Sequence, residues 1–251
     1  MAKFGTIVRG VKAPIIQAHD PLEEIVFETV VTALESEQIQ VQDRDIVAIT
    51  EAVVARAQNN YASINDIAED VKRQTGGGVV GLVFPILSRN RFSMLLKGIA
   101  QGVDQLVVQL SYPSDEVGNP LLSYEQMETA KINPYTDHFD EASFRRVFPS
   151  IAHPFTGVDY IQYYKDIGGP NVSIVLSNDP THILQHTSTV IVADIHTRFR
   201  TQKRLLEAKA SKVLRLDELL TSPVNGSGFN PEFGLLGSNL ADEQRVKLFP
   251  R

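Results

Sequence analysis

The 251-residue chain has no cysteine. That excludes disulfides, thiolate metal sites and a cysteine nucleophile. Tryptophan is absent too. No apolar run approaches the roughly 18 residues that a membrane helix needs, so no membrane partner is expected. The opening residues, MAKFGTIVRGVKAPII, lack a continuous apolar stretch. No signal peptide is expected, and the expected location is the cytoplasm. A surplus of positive charge is also missing. Lys and Arg number 24 against 30 Asp and Glu, giving a net charge of −6. Phosphates would on average be repelled, so nucleic acid is not an expected partner.

What remains is an ordinary globular composition, 43% hydrophobic and 22% charged, long enough to bury a sizeable core. FGTIVRGVKAPII alternates around Gly10 and Pro14 and predicts a strand, a turn and an extended piece. In the next stretch Asp20 is placed to cap a helix with Pro21 at its first position. Leu22, Ile25, Val26, Thr29, Val30 and Ala33 give that helix one apolar face. DIVAI (45–49) predicts a buried strand, and the following TEAVVARAQ fits helix or strand. SINDIAEDVKRQT predicts an amphipathic helix capped by Ser63 or Asn65 and stopped at Gly76–Gly78. VVGLVFPIL is a further apolar run. NRFSMLLKGIAQG predicts a helix, and VDQLVVQL a strand.

Beyond residue 120 the period weakens, although Asp140 is placed to cap a short helix. Strands are predicted at VSIVLS and STVIVADI, and helices between the Gly/Pro flanks of HPFTGVDYIQYYKDIGGPN and at NDPTHILQH and RFRTQKRLLEAKA. The Gly/Pro/Ser/Asn-rich tail reads as a covering loop. Alternating strands and helices predict an α/β to mixed α+β class, with mixed sheet flanked by helices. Residues 1–251 are expected to form one domain, and a subdivision, if present, falls near 120–150.

Several polar groups invite a chemical reading. SYPSDEVGN (111–119) follows the apolar QLVVQL. Asp115 and Glu116 are hard oxygen donors of the kind Mg²⁺ or Mn²⁺ prefers, at the carboxyl end of a strand. Ordinary turn chemistry is the competing reading. Arg56 can pair with a phosphate or sit in a surface ion pair. Arg89, Arg91 and Lys97 offer local positive charge near a helix start, where an anion is favoured, or merely a solvated face. His153 is a candidate acid/base with Asp159 nearby. His182 and His186, four apart, share a helix face but lack the Glu of a zinc signature. The triplet 76–78 matches neither a P-loop nor a dinucleotide fingerprint, and no Gly-x-Ser-x-Gly elbow is present.

Taken in order, RGVKAPIIQAHDPLEEIVFETV and DRDIVAITEAVVARAQ resemble the amino-terminal region of the coenzyme F420-0:γ-glutamyl ligase family. That family opens with a Gly-x-Pro element, an acidic helix start and a strand leading into a K-I-V-S-K-A motif. The resemblance covers residues 9–58 and extends toward 120. It implies a mixed α/β fold, a homodimer, and an amide ligase using GTP and Mg²⁺ or Mn²⁺. Such enzymes phosphorylate a carboxylate acceptor and let glutamate, or a similar amine, attack the acyl phosphate. By position, Ala13, Pro14 and Ile15 match the family's first nucleotide-contacting turn. Glu51 and Ala52 match its second, and Arg56 stands where the family has lysine. Arg56 and Arg91 would steady phosphates, and His153 would relieve the attacking amine of its proton.

The family's metal aspartates lie in A-G-V-D-x-S-N and S-D-x-F-G-R motifs. Asp104 (in GVDQ) and Asp115 are the candidates here, with Glu116 beside them, while Asp159 (in GVDY) comes in the wrong order. The G-R-x-W-R element is missing, which marks a divergent member. It also leaves open a second reading, a metabolite- or nucleotide-binding protein that kept the fold without turnover.

Overall fold

A computed structural model describes residues 5–87, 89–149, 151–152 and 156–251. In chain order the elements are α1 (Leu22–Ser36), α2 (Glu51–Ala57), β1 (Tyr61–Ser63), α3 (Ile64–Thr75), β2 (Val79–Val83), α4 (Arg89–Gln101), β3 (Gln105–Leu110) and α5 (Tyr124–Ala130). They continue with β4 (Phe139–Asp140), α6 (Glu141–Val147), α7 (Tyr160–Gly168), β5 (Val172–Leu176), β6 (Thr189–Val192), α8 (Arg198–Glu207), β7 (Lys212–Arg215), β8 (Ser238–Leu240) and β9 (Arg245–Leu248).

Six strands form one mixed sheet in the order β4-β5-β3-β2-β6-β7. All neighbours are parallel except β4, which pairs antiparallel with β5. The chain builds outward from β2 through β3 to β5. It then returns across β2 to add β6 and β7. Strand order therefore reverses between β2 and β6, and an open parallel sheet has its crevice outside the carboxyl ends of the strands at such a point.

Parallel strands covered on both faces must be apolar on both, and these are. On one face Val80, Leu82, Leu106, Val108, Ile174, Leu176 and Ile191 join the larger core, which reaches α3, α4 and α7. On the other, Val83, Val107, Val175, Val190 and Val192 pack with Ile183 and Leu205. The alternation follows the two-residue strand period. Full burial of each such side chain contributes about 1.5–3 kcal/mol.

Two glycines permit close contacts. A Cβ at Gly81 would lie 2.4 Å from Cγ1 of Ile183, and one at Gly98 would lie 2.6 Å from Cγ2 of Ile67, where α4 crosses α3. A second sheet, β1-β9-β8, is antiparallel and packs on the far side of α4.

Local chemistry explains the helix ends. Ser63 and Asp66 form a reciprocal capping box, and Gly76 ends α3 with φ of 85°. Asp140 caps α6 and Asp159 caps α7. TEAVVARAQ is resolved as the helix α2.

Some expectations are corrected. Asp20 does not cap α1. Pro21 holds the N-cap position, and the Asp20 carboxylate instead accepts from the Gln17 N–H at 2.7 Å. Pro180–Gln185 is a 3-10 helix rather than an α-helix, capped by Asp179. Described residues 5–18 form no strand, and neither does 45–49. Ile46 is 88% exposed, not buried. A strand needs a neighbour for its backbone groups and cover for its side chains, and this segment has neither here. The apolar face of α1 contains no buried residue.

Candidate functional site

At the carboxyl edge, three loops meet beside the crevice between β2 and β6. The loop after β3 holds Asp115. Its Oδ1 accepts from the N–H groups of Val117 (3.1 Å) and Asn119 (2.8 Å). Its Oδ2 accepts from the Leu87 N–H and from Asn119 Nδ2, both at 2.7 Å. Leu87 belongs to the exit from β2, so this buried carboxylate pins the 115–119 turn to the neighbouring strand. The next residue reaches across the switch point. Glu116, exposed, accepts from the backbone N–H of Ile195 through Oε1 and from that of His196 through Oε2 (3.2 Å).

Ile195 and His196 lie between β6 and α8, directly after Asp194. Asp194 is 1% exposed. Its Oδ2 accepts from the hydroxyls of Thr197 and Thr201, the latter at 2.8 Å. Its Oδ1 has no hydrogen-bond partner among the described residues. Burial pushes the Asp194 carboxyl above its usual pKa; the two threonine bonds oppose this and the negative charge of Glu116 adds to it. Arg198, in the first turn of α8, donates to the Ile195 carbonyl at 2.5 Å and to Asp217 at 3.1 Å. Arg198 and Arg215 both stack on the Phe199 ring, 4.6 and 4.5 Å from its centroid. Beside these groups lies a small apolar cleft between Ile86, Phe92, Ala193, Ile195, Leu216 and Leu235.

The arrangement sets a buried carboxylate beside a second carboxylate that is held on two backbone N–H groups. An unpartnered oxygen on a buried carboxylate, next to a second carboxylate, is a cation's environment. Two N–H groups leading into a helix amino end suit an anion.

The family described as F420-0:Gamma-glutamyl ligase matches residues 10–251. The chain belongs to this family. That membership makes it a γ-glutamyl ligase of the coenzyme F420 type. No curated protein and no solved structure matches it.

The ligase's other sequence candidates are dispersed. Asp104 is exposed and stands at the amino end of β3, its N–H bonded to the Gly78 carbonyl at 2.9 Å. It is therefore a strand's length, roughly 20 Å, from Asp115 and does not share its site. Ala13, Pro14 and Ile15 are exposed in the amino-terminal segment, and Glu51, Ala52 and Arg56 are exposed on α2. The His19 N–H bonds the Ala57 carbonyl at 2.7 Å, which brings these two segments together. Among the described residues no hydrogen bond or ion pair joins Arg56 to the 115–119 turn. Arg91 lies in the first turn of α4, after β2, and its side chain lies outside the described residues, as does His153. Asp159 serves as the cap of α7 and pairs with Arg145 at 2.7 Å.

Asp194 is not among the sequence candidates. The signal was there. It follows an apolar strand, and Ala193–Arg198 keeps the Asp and the Arg of S-D-x-F-G-R at the family spacing. His182 and His186 meet edge to face with centroids 6.0 Å apart, and His138 stacks on His182 at 4.4 Å. Burial, with His138 and His186 adding to it, keeps the His182 pKa below the usual histidine value. No group of three or more metal-ligating side chains is assembled among the described residues.

Proposed function

We propose that this ligase uses GTP and Mg²⁺ or Mn²⁺ to join glutamate, or a similar amine, to a carboxylate acceptor. In the proposed sequence an acceptor oxygen attacks the γ-phosphorus and GDP leaves. The amine nitrogen then attacks the acyl carbon, inorganic phosphate leaves, and the nitrogen gives up a proton. Family membership supports the amide-forming chemistry. The single observation that supports a metal is the unpartnered Oδ1 of the buried Asp194 beside Glu116. In this reading Asp194 and Glu116 hold the ion, and Asp115 fixes the turn that carries Glu116. The ion would supply charge compensation for the nucleotide phosphates. Arg198 adds positive charge at the same edge, and Arg56 and Arg91 are the further candidates for phosphate contact.

A homodimer forms part of the proposal. Ile7 (67%), Val8 (89%), Ile15 (81%), Phe27 (69%) and Ile46 (88%) are exposed within residues 5–50. An apolar surface of this kind favours a partner, and a second copy would also supply neighbours for the two unpaired extended stretches. The amino-terminal nucleotide candidates lie on this same segment.

Calorimetric titration with GTP in Mn²⁺, followed by glutamate incorporation assays over carboxylate acceptors, tests the reading. Metal-dependent GTP binding with release of GDP and phosphate is expected. Absence of metal-dependent nucleotide binding would remove it, and binding without turnover of any acceptor would favour a protein that only binds.

A further inference from the structure

Glu116 is exposed, so burial does not hold it in place. Both its oxygens are nonetheless engaged by backbone donors, the N–H groups of Ile195 and His196. These donors lead into the ten-residue α8, whose dipole favours negative charge at that end. The neighbouring carboxylate, Asp194, is 1% exposed and has an oxygen with no donor among the described residues. The site therefore holds one anion of its own chain on an anion's donors, beside an acidic oxygen that calls for a cation. Arg198 keeps the intervening Ile195 carbonyl occupied, so a ligand replacing Glu116 would meet the two N–H groups as the turn's backbone donors.

We propose that Glu116 is a displaceable latch. Without a ligand it fills the Ile195–His196 amide pair. A divalent cation arriving with a polyphosphate draws the Glu116 carboxylate toward Asp194, and the vacated N–H groups donate to a phosphate oxygen. Phosphate binding is thereby made conditional on the cation. The identity of the ligand as a polyphosphate rests on the function proposed above, while the latch itself rests on the contact geometry. Nucleoside triphosphates and inorganic polyphosphates share the recognised chemistry.

The test compares the full-length wild type with Glu116→Ala by calorimetry, using inorganic tripolyphosphate and GTP as probes, each in EDTA and in Mn²⁺. Wild type is expected to bind both probes at least about ten-fold more weakly in EDTA than in Mn²⁺. Glu116→Ala is expected to bind about ten-fold more tightly than wild type in EDTA and to lose most of its response to Mn²⁺. A gain for both probes assigns the latch to any polyphosphate, and a gain for GTP alone assigns it to the nucleotide. Binding by Glu116→Ala in EDTA no tighter than wild type overturns the proposal. Amide hydrogen exchange gives a second readout: Ile195 and His196 should exchange faster in Glu116→Ala and be protected again by tripolyphosphate. Failure of that renewed protection also overturns it. Glu116→Gln, with the same shape and a weaker acceptor, supplies both comparisons if the alanine variant does not fold. If wild type ignores GTP in Mn²⁺ while the Glu116→Ala gain appears, the latch stands and the nucleotide-dependent ligase reading falls.

Discussion

Two acidic residues at the carboxyl edge do opposite work. Asp115 has a structural role, its side chain meeting four donors gathered from two loops. Asp115→Ala would strand the N–H groups of Leu87, Val117 and Asn119 and should lower unfolding free energy by about 3 kcal/mol in urea denaturation. Asp194 is under-satisfied. Its raised pKa means that the native state binds the proton more tightly than the unfolded chain, whose reference value is 3.8. Relative to Asp194→Asn, the contribution of this group to wild-type stability is therefore complete below pH 3.8 and is lost as pH rises through the raised value. At pH 7 without divalent cation, Asp194→Asn should melt higher than wild type. Mn²⁺ should raise the melting temperature of wild type and leave the variant's unchanged. A variant that melts lower than wild type in EDTA at pH 7 would show that the charge is compensated within the chain.

At the scale of elements, fit between surfaces decides more than propensity. The 3-10 helix Pro180–Gln185 lies against β2 because Gly81 leaves space for Ile183, which is fully buried. Gly81→Ala places a methyl group 2.4 Å from Cγ1 of that side chain. The expected cost is about 1–3 kcal/mol, seen as a lower denaturation midpoint at unchanged m-value. Loss of activity without a shift in midpoint would contradict it. The sequence pattern of α3 was legible because it carries a clean helical period with its own caps, and the central strands were legible as short continuous apolar runs. The amino-terminal strands failed as expectations for a physical reason. Periodicity reports a side chain's preference for burial, but the ladder needs a second strand, and the described residues supply none there.

For the whole molecule, the central sheet, two helical layers and a small second sheet leave residues 5–50 nearly without cover. Ile16 is the buried hydrophobic residue among them. The proposed dimer makes a direct prediction. Sedimentation should give a dimer for wild type, and Phe27→Asp with Ile46→Asp should shift it to monomer while the far-UV spectrum of the core persists. A wild-type monomer at micromolar concentration would remove the dimer from the proposal. No helix is long and apolar enough to cross a membrane among the described residues, in line with the absence of long apolar runs.

The sequence by itself determined the alternation of strands and helices, the caps at Ser63 and Asp140, the polar turn after QLVVQL and the family resemblance at the amino end, because these depend on short-range spacing and local backbone chemistry. Only the tertiary structure decided which carboxylates meet. Asp104 and Asp115 are close in sequence but lie at opposite ends of β3. Glu116 and Asp194 are 78 positions apart and come together because parallel β3, β2 and β6 end at the same edge. Strand order, not sequence distance, brings them there.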